Sequence, residues 1–271
     1  MDFISFVSRN IEILSRSFKI YFSNFSRFVI ISAILNILFF VIRELFGYII
    51  SPDTVISNII VLWLTMLNLM LAYGAIVIAT VLVMNNRKIN ILFCFQVVWY
   101  RILTFILISA IYTGLMGALV VVLQLATNPT MLIFGASVYL ITLVFIINYF
   151  TSVVEVNVLE EYKGINVFKR AFILVQGQWF EAFGFNFLRI LAWFGFSFAI
   201  TLFIILLVTQ IFPLIDLNTR VIDSNIQIEL KLLQLIVGVL TQPFLYIAGV
   251  VWYHQTRLTR ENVDVIKILT G

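Results

Sequence analysis

Long apolar blocks separated by brief polar breaks dominate this chain, and each block is long enough to cross a bilayer before it breaks. A helix rises ~1.5 Å per residue, so about 20 apolar residues cross ~30 Å of hydrocarbon. On that measure six spans are predicted, at about 27–50, 59–84, 101–126, 131–158, 180–211 and 232–253. The breaks hold the residues that end helices: Pro52-Asp53, Asn85-Asn86-Arg87-Lys88, Asn128-Pro129, and the long polar connection from Pro213 to Glu229. Proline has no donor and biases its predecessor away from helical angles. Pro243 lies inside the last span and should kink it where a backbone hydrogen bond is lost.

Three other segments have a helical period rather than continuous apolarity. At about 100° per residue Phe3, Ile4, Val7, Ile11, Leu14, Phe18, Tyr21 and Phe22 share one arc, with Arg9, Glu12, Arg16 and Lys19 opposite. Residues 3–22 therefore predict an amphipathic helix, either lodged in the membrane interface or packed as an ordinary surface helix. Residues 90–100 and 166–176 predict shorter surface helices, the second with Phe168, Phe172 and Val175 on its apolar side. Three exits are alike: Lys88-Ile89-Asn90-Ile91, Lys163-Gly164-Ile165-Asn166-Val167 and Arg260-Glu261-Asn262-Val263-Asp264-Val265. Asn and Asp are favoured N-caps, so the first two exits should launch the surface helices and the third a tail, 254–271. Pro52, Pro129 and Pro213 each mark an opposite turn. The prediction is one all-α, polytopic membrane helix bundle, built as three repeats of surface helix, span, span.

Composition supports the class: 62% of residues are hydrophobic and 11% charged, against roughly 45–50% and about 25% for a soluble domain. Charge sets an orientation. Of 17 Lys and Arg, thirteen fall at one end of the predicted bundle, from Arg9 and Lys19 through Lys163 to Lys267. Arg43, Arg220 and Lys231 fall at the other end, and Arg189 inside a span. The positive-inside rule then puts both termini in the cytoplasm. No cleavable signal is expected, because residues 1–21 carry charge throughout. The single cysteine, Cys94, excludes an internal disulfide and a Cys-based metal site, and reads as a packing residue.

Around the second of these exits the order is Glu160, Gly164, Lys169-Arg170-Ala171, Gly177, Trp179-Phe180, and the last span closes with Pro243-Phe244, Trp252-Tyr253 and Arg257. In these motifs, and over nearly its whole length, the chain resembles the bacterial six-span family called the glycerophosphoryl diester phosphodiesterase membrane domain. It departs from that pattern at His254-Gln255, where Tyr and Asp are expected. The resemblance implies a module of the bacterial cytoplasmic membrane, found alone or attached to a phosphodiesterase, with no settled activity of its own. The attached enzyme's chemistry needs paired histidines and a carboxylate cluster for a metal, which one His cannot supply.

The candidate functional residues are therefore polar groups in costly places. Glu155 and Arg189 lie within predicted spans, where an ionisable group normally faces protein or water. Glu155 is five residues before Glu160, about 7 Å into the membrane, and Arg189 is ten past Trp179, about 15 Å deep with a stem that reaches back. The two are candidates to pair, with Glu181 a competing partner for Arg189 and separate contact with head groups the alternative. Asn36, Asn68, Gln124 and Asn148 are expected to join helices by hydrogen bonds, and Ala110, Gly114 and Ala118 to form a small-residue packing seam. Arg9, Arg16, Lys19, Lys163, Lys169 and Arg170 are expected to face anionic head groups. Glu160 and Glu161 read as a solvated turn and His254 as an interfacial histidine. The expected function is non-catalytic, without cofactor or metal: binding of membrane lipids, other membrane proteins or a second copy, but not nucleic acid, in support of membrane organisation. A transporter or permease subunit is the alternative, and an intramembrane enzyme ranks last.

Overall fold

A computed structural model describes residues 3–49, 55–125, 152–160, 162–211 and 225–263, with isolated positions at 133, 135, 137, 138, 144 and 148. Those residues form nine α-helices and no strand. In chain order they are α1 (Phe3–Ser23), α2 (Phe25–Ile49), α3 (Val55–Met84), α4 (Ile91–Tyr100), α5 (Ile102–Leu125), α6 (Val153–Leu159), α7 (Asn166–Val175), α8 (Trp179–Ile211) and α9 (Asn225–Glu261). Four are long and apolar enough to cross a membrane, over Phe25–Phe46, Ser57–Met84, Trp179–Leu207 and Lys231–Glu261. The bent pair α4–α5, with 71° between its parts, would make a fifth. Most of the expected fourth span, 131–158, lies outside the described residues, as do Pro52, Pro129, Pro213, Glu161 and the side chain of Gln124.

The helix ends follow local chemistry, with one surprise. α3 stops because Asn86 takes a left-handed φ of +55°, letting Asn86 N–H reach Val83 O at 2.9 Å and Arg87 N–H reach Leu82 O at 2.8 Å. These two bonds satisfy carbonyls the helix would leave orphaned. Asn90 caps α4 as expected, accepting from Phe93 N–H at 3.2 Å. Asn166 does not cap α7: Ile165 holds that position, preceded by Gly164 at φ +58°. Asn262, expected to open a tail, sits at φ +52° directly after the last residue of α9.

α3 is the central element. Ala72, Ala75, Ile76, Val77, Ile78, Ala79 and Thr80 are all fully buried, and α2, α5, α9, α4 and α6 pack around it. Close approach depends on small residues here: a Cβ on Gly74 would lie 2.6 Å from the Phe105 ring of α5. α8 is the opposite case, with Phe187, Leu191, Phe194, Phe198 and Phe203 all more than half exposed. An apolar helix face turned away from the bundle is what a lipid-facing element presents.

α1 corrects the amphipathic reading. Its buried face is Asn10, Ile13, Ser17, Ile20 and Tyr21, while Ile11 and Phe22 of the expected apolar stripe are exposed. At 3.6 residues per turn the buried face is rotated about a quarter turn from that stripe. The helix thus has three sides: one against the bundle, one apolar and exposed, one with Glu12, Arg16 and Lys19. The bundle side tolerates Ser17 because its hydroxyl donates to Ile13 O at 2.7 Å. Phe18 stacks on Phe244 of α9 at 4.0 Å, and Tyr21 donates to Leu240 O at 2.5 Å. Leu240 is three residues before Pro243, so Tyr21 adds a bond to α9 in the turn where proline removes a donor.

The tail begins later than the sequence suggests. α9 continues to Glu261 because His254, Thr256 and Arg257, which look like an exit into water, are buried against the bundle. At 37 residues it is about 55 Å long, well beyond the hydrocarbon thickness.

Candidate functional site

Two polar clusters stand out, one among the spanning helices and one at their basic end. The first gathers on Gly249 of α9. Tyr73 of α3 donates its hydroxyl to Glu155 Oε1 of α6, and both side chains are buried. A Cβ on Gly249 would lie 2.6 Å from Arg189 Nη1 of α8 and 3.0 Å from Glu155 Oε1, and would overlap the Tyr73 hydroxyl. Four helices therefore bring a carboxylate, a guanidinium and a phenol to one stretch of bare backbone. Tyr246 stacks on Tyr73 at 4.6 Å, and the Arg189 guanidinium lies over the Phe185 ring at 5.7 Å. Opposite charges in a dry site offset one another's desolvation, which is how such groups are tolerated among apolar helices. Among the described residues no hydrogen bond reaches Glu155 Oε2, Arg189 Nε or either amide atom of buried Asn157.

The second cluster joins α6, α7 and α9. Glu160, directly after α6, accepts from Arg170 Nε of α7 at 2.8 Å and from Arg257 Nη1 of α9 at 2.5 Å, and Tyr253 donates to the same carboxylate. Glu261 closes the ring: its Oε2 lies 2.6 Å from Arg170 Nη2 and 2.5 Å from Arg257 Nε. The last is a close ionic contact without hydrogen-bond alignment. Burial by itself would lower the Arg170 guanidinium, but hydrogen bonds and charge from Glu261 and Glu160 hold it above its ordinary value. Two more arginines extend the joint. Arg101, at the α4–α5 bend, donates to Glu160 O at 3.2 Å and Tyr162 O at 3.4 Å. Arg260 donates to Ile173 O, Leu174 O and Gln176 O, the free carbonyls that end α7.

This arrangement revises two expectations. Glu160 is not in a solvated turn, since its side chain is only 8% exposed. Arg170 spends its guanidinium on two carboxylates rather than on head groups. The reason is the extension of α9, which carries Arg257 and Glu261 back over α7. His254 likewise lies within that extension, 7% exposed, and not at an open interface. Arg9 meets Glu181 of α8 at 3.5 Å, while Arg16, Lys19, Lys163 and Lys169 are exposed. Ala110 and Gly114 line a groove of about 370 Å³ with Ile59, Trp63, Thr113 and Gly117. A Cβ on Gly114 would meet open space. Ala118 lies one turn further along α5. Asn68 Nδ2 donates to Asn36 Oδ1 at 3.0 Å, and Asn148 bonds Trp179 O and Asn186 across to α8. Cys94 is buried. Among the described residues no group of three His, Cys, Asp or Glu is placed to hold a metal ion.

Tyr73, Tyr246 and Gly249 are absent from the sequence-derived candidates. A hydroxyl-bearing Tyr inside an apolar block was the available signal, since a buried Tyr O–H usually finds a partner. Gly249 had none, because nothing local distinguishes it from the other glycines of the spans. Comparison with family models, curated proteins and solved structures finds no match to this chain.

Proposed function

We propose that the chain is a non-catalytic, multi-pass protein of the bacterial cytoplasmic membrane that binds anionic lipids and protein partners at its basic end and thereby supports membrane organisation. In this reading six spans form three repeats of surface helix, span, span, and both termini lie in the cytoplasm. The order α1–α2–α3, α4–α5 and α7–α8–α9 is what supports the repeat. The observation that carries the function is the pairing of exposed rings with exposed cations at one end. α4 and the start of α8 expose Trp99 at 71%, Tyr100 at 84% and Phe180 at 81%, and α1 exposes Ile11 and Phe22 beside Arg16 and Lys19. Aromatic rings prefer the head-group level, and each nearby Lys or Arg adds about 1 kcal/mol of attraction to anionic lipid. Native mass spectrometry after gentle extraction tests this. The wild type should retain anionic over zwitterionic lipid, and a variant with Arg16, Lys19, Lys163 and Lys169 all changed to Gln should lose the preference. Equal lipid profiles would reject the reading.

A transporter or permease subunit is the second reading, favoured by Glu155 and Arg189 among the apolar helices and by Pro243 inside α9. An energising ATPase co-purifying in stoichiometric amount would support it.

A further inference from the structure

At the end of the bundle away from the ionic ring, α2, α3 and α9 enclose a cavity of about 160 Å³. That is well above the ~10–15 Å³ one water requires. Its lining includes Asn36, Thr65, Asn68 and Gln242 together with Arg43 and Lys231. The amides form a line across the three helices: Asn68 Nδ2 donates to Asn36 Oδ1 at 3.0 Å, and Asn36 Nδ2 donates to Gln242 Oε1 at 3.3 Å. Asn36 also donates to Ser32 O at 2.9 Å, which fixes its orientation. Asn68, only 8% exposed, keeps its Oδ1 without a hydrogen-bond partner, an acceptor waiting for a donor inside a polar space.

The charged residues stand toward the outer end. Arg43 is about 10 Å along α2 from Asn36, and Lys231 about 16 Å along α9 from Gln242, at ~1.5 Å per residue. Both are about 40% exposed and share one carboxylate: Glu44 lies 3.0 Å from Lys231 Nζ and 3.3 Å from Arg43 Nη2. Among the described residues two cations stand against this one carboxylate. The amide line by itself has the look of a structural bridge, but a bridge needs neither an open acceptor nor two cations lining the same cavity.

We propose that this cavity binds a hydroxylated phosphate ester, with its alcohol donating to Asn68 Oδ1 and its phosphate between Arg43 and Lys231. A guanidinium matches phosphate geometry and an ammonium adds a point charge. The ligand is either a free polyol phosphate or the phosphodiester head group of a lipid, which share this chemistry. The site stands apart from the lipid-facing basic end and does not depend on it.

The test uses the full chain in nanodiscs of zwitterionic lipid, titrated separately with glycerol phosphate, inorganic phosphate and glycerol, with binding read by calorimetry and melting temperature. Glycerol phosphate should bind about tenfold more tightly than either half-probe. Lys231→Gln should weaken it about tenfold, and Glu44→Gln, which frees both cations, should tighten it several-fold. An ion pair that served the fold alone would lower the melting temperature in both variants and leave affinity unmoved. Asn68→Leu should abolish the preference over inorganic phosphate. If that variant does not fold, Lys231→Gln and Glu44→Gln carry the test. Discs containing phosphatidylglycerol separate the sources: blocked binding identifies a lipid head group, unchanged binding a free solute, and both uphold the site. No binding of glycerol phosphate in the zwitterionic discs, equal affinity for the three probes, or indifference to Lys231→Gln and Glu44→Gln overturns the proposal.

Discussion

Gly249 is where the smallest change should have the largest effect. One added methyl group would overlap the Tyr73 hydroxyl and crowd Arg189 and Glu155, none of which can retreat without leaving a buried charge. Overpacking of this kind costs about 1–3 kcal/mol, so Gly249→Ala should lower the melting temperature in detergent measurably. Gly195, whose added Cβ would meet nothing, is the matched control, and Gly195→Ala should be neutral or stabilising. Glu155 and Arg189 call for a cycle instead of single changes, since removing one member of a buried pair strands the other at about 3–5 kcal/mol. Glu155→Gln and Arg189→Gln should each destabilise, and the double variant should cost clearly less than their sum. Strict additivity would show that the two groups act separately.

The ionic ring makes α6, α7 and the end of α9 behave as one unit. With side chains 7–14% exposed at Arg257, Glu160 and Arg170, the ring is shielded from salt and held by two carboxylates and two guanidiniums in mutual contact. Arg257→Gln should therefore raise hydrogen exchange in both α7 and residues 254–261, by an amount that 0.5 M salt does not reproduce. The exposed pair Arg9–Glu181 is the contrast, worth about 0–1 kcal/mol, and Glu181→Gln should leave exchange in α1 nearly unchanged. Glu261, held below its ordinary value by the Arg170 hydrogen bond, contributes stability that is lost as pH falls through its folded value, and the alkaline side follows from Arg170. Its raised value means the stabilisation is complete below its unfolded pKa and is lost only as pH rises through a still higher folded value. Arg titrates above about 12, so exchange in α7 should be flat with respect to Arg170 across the neutral range.

For the molecule as a whole, orientation is the property most open to direct measurement. If the thirteen basic residues face the cytoplasm, a reporter fused after Gly271 that is active only in the periplasm should stay silent. Activity there would invert the proposed topology. The rotation of α1 yields a second measurement, because its three sides should label differently once cysteines are introduced. Glu12→Cys should react as an aqueous site, Phe22→Cys should be shielded by lipid, and Ile13→Cys should be unreactive in the folded protein. Similar reactivity at positions 12 and 22 would remove α1 from the interface.

Helix identity and the approximate bounds of α2, α3 and α8 were legible in the linear order because they depend on local quantities. An apolar run must bury its backbone polar groups in helix wherever it lies, and Asn90 caps α4 through a bond to a neighbour three residues on. Glu155 and Arg189 stood out because a charge inside an apolar run is costly, but their meeting at Gly249 was not legible, since depth along a helix does not set which face it presents. What depended on partners distant in sequence was not. Which face of α1 is buried is decided by Phe244, Leu240 and Phe196, over 170 residues away, and the hydrophobic arc of α1 alone cannot distinguish bundle from lipid since both accept apolar side chains. Glu160 looked solvated because its partners, Arg257 and Glu261, follow a polar stretch that reads as the end of a helix. Only when α7 folds against α9 does that stretch become an interior, where the charges of both segments stabilise each other and the helix has reason to continue.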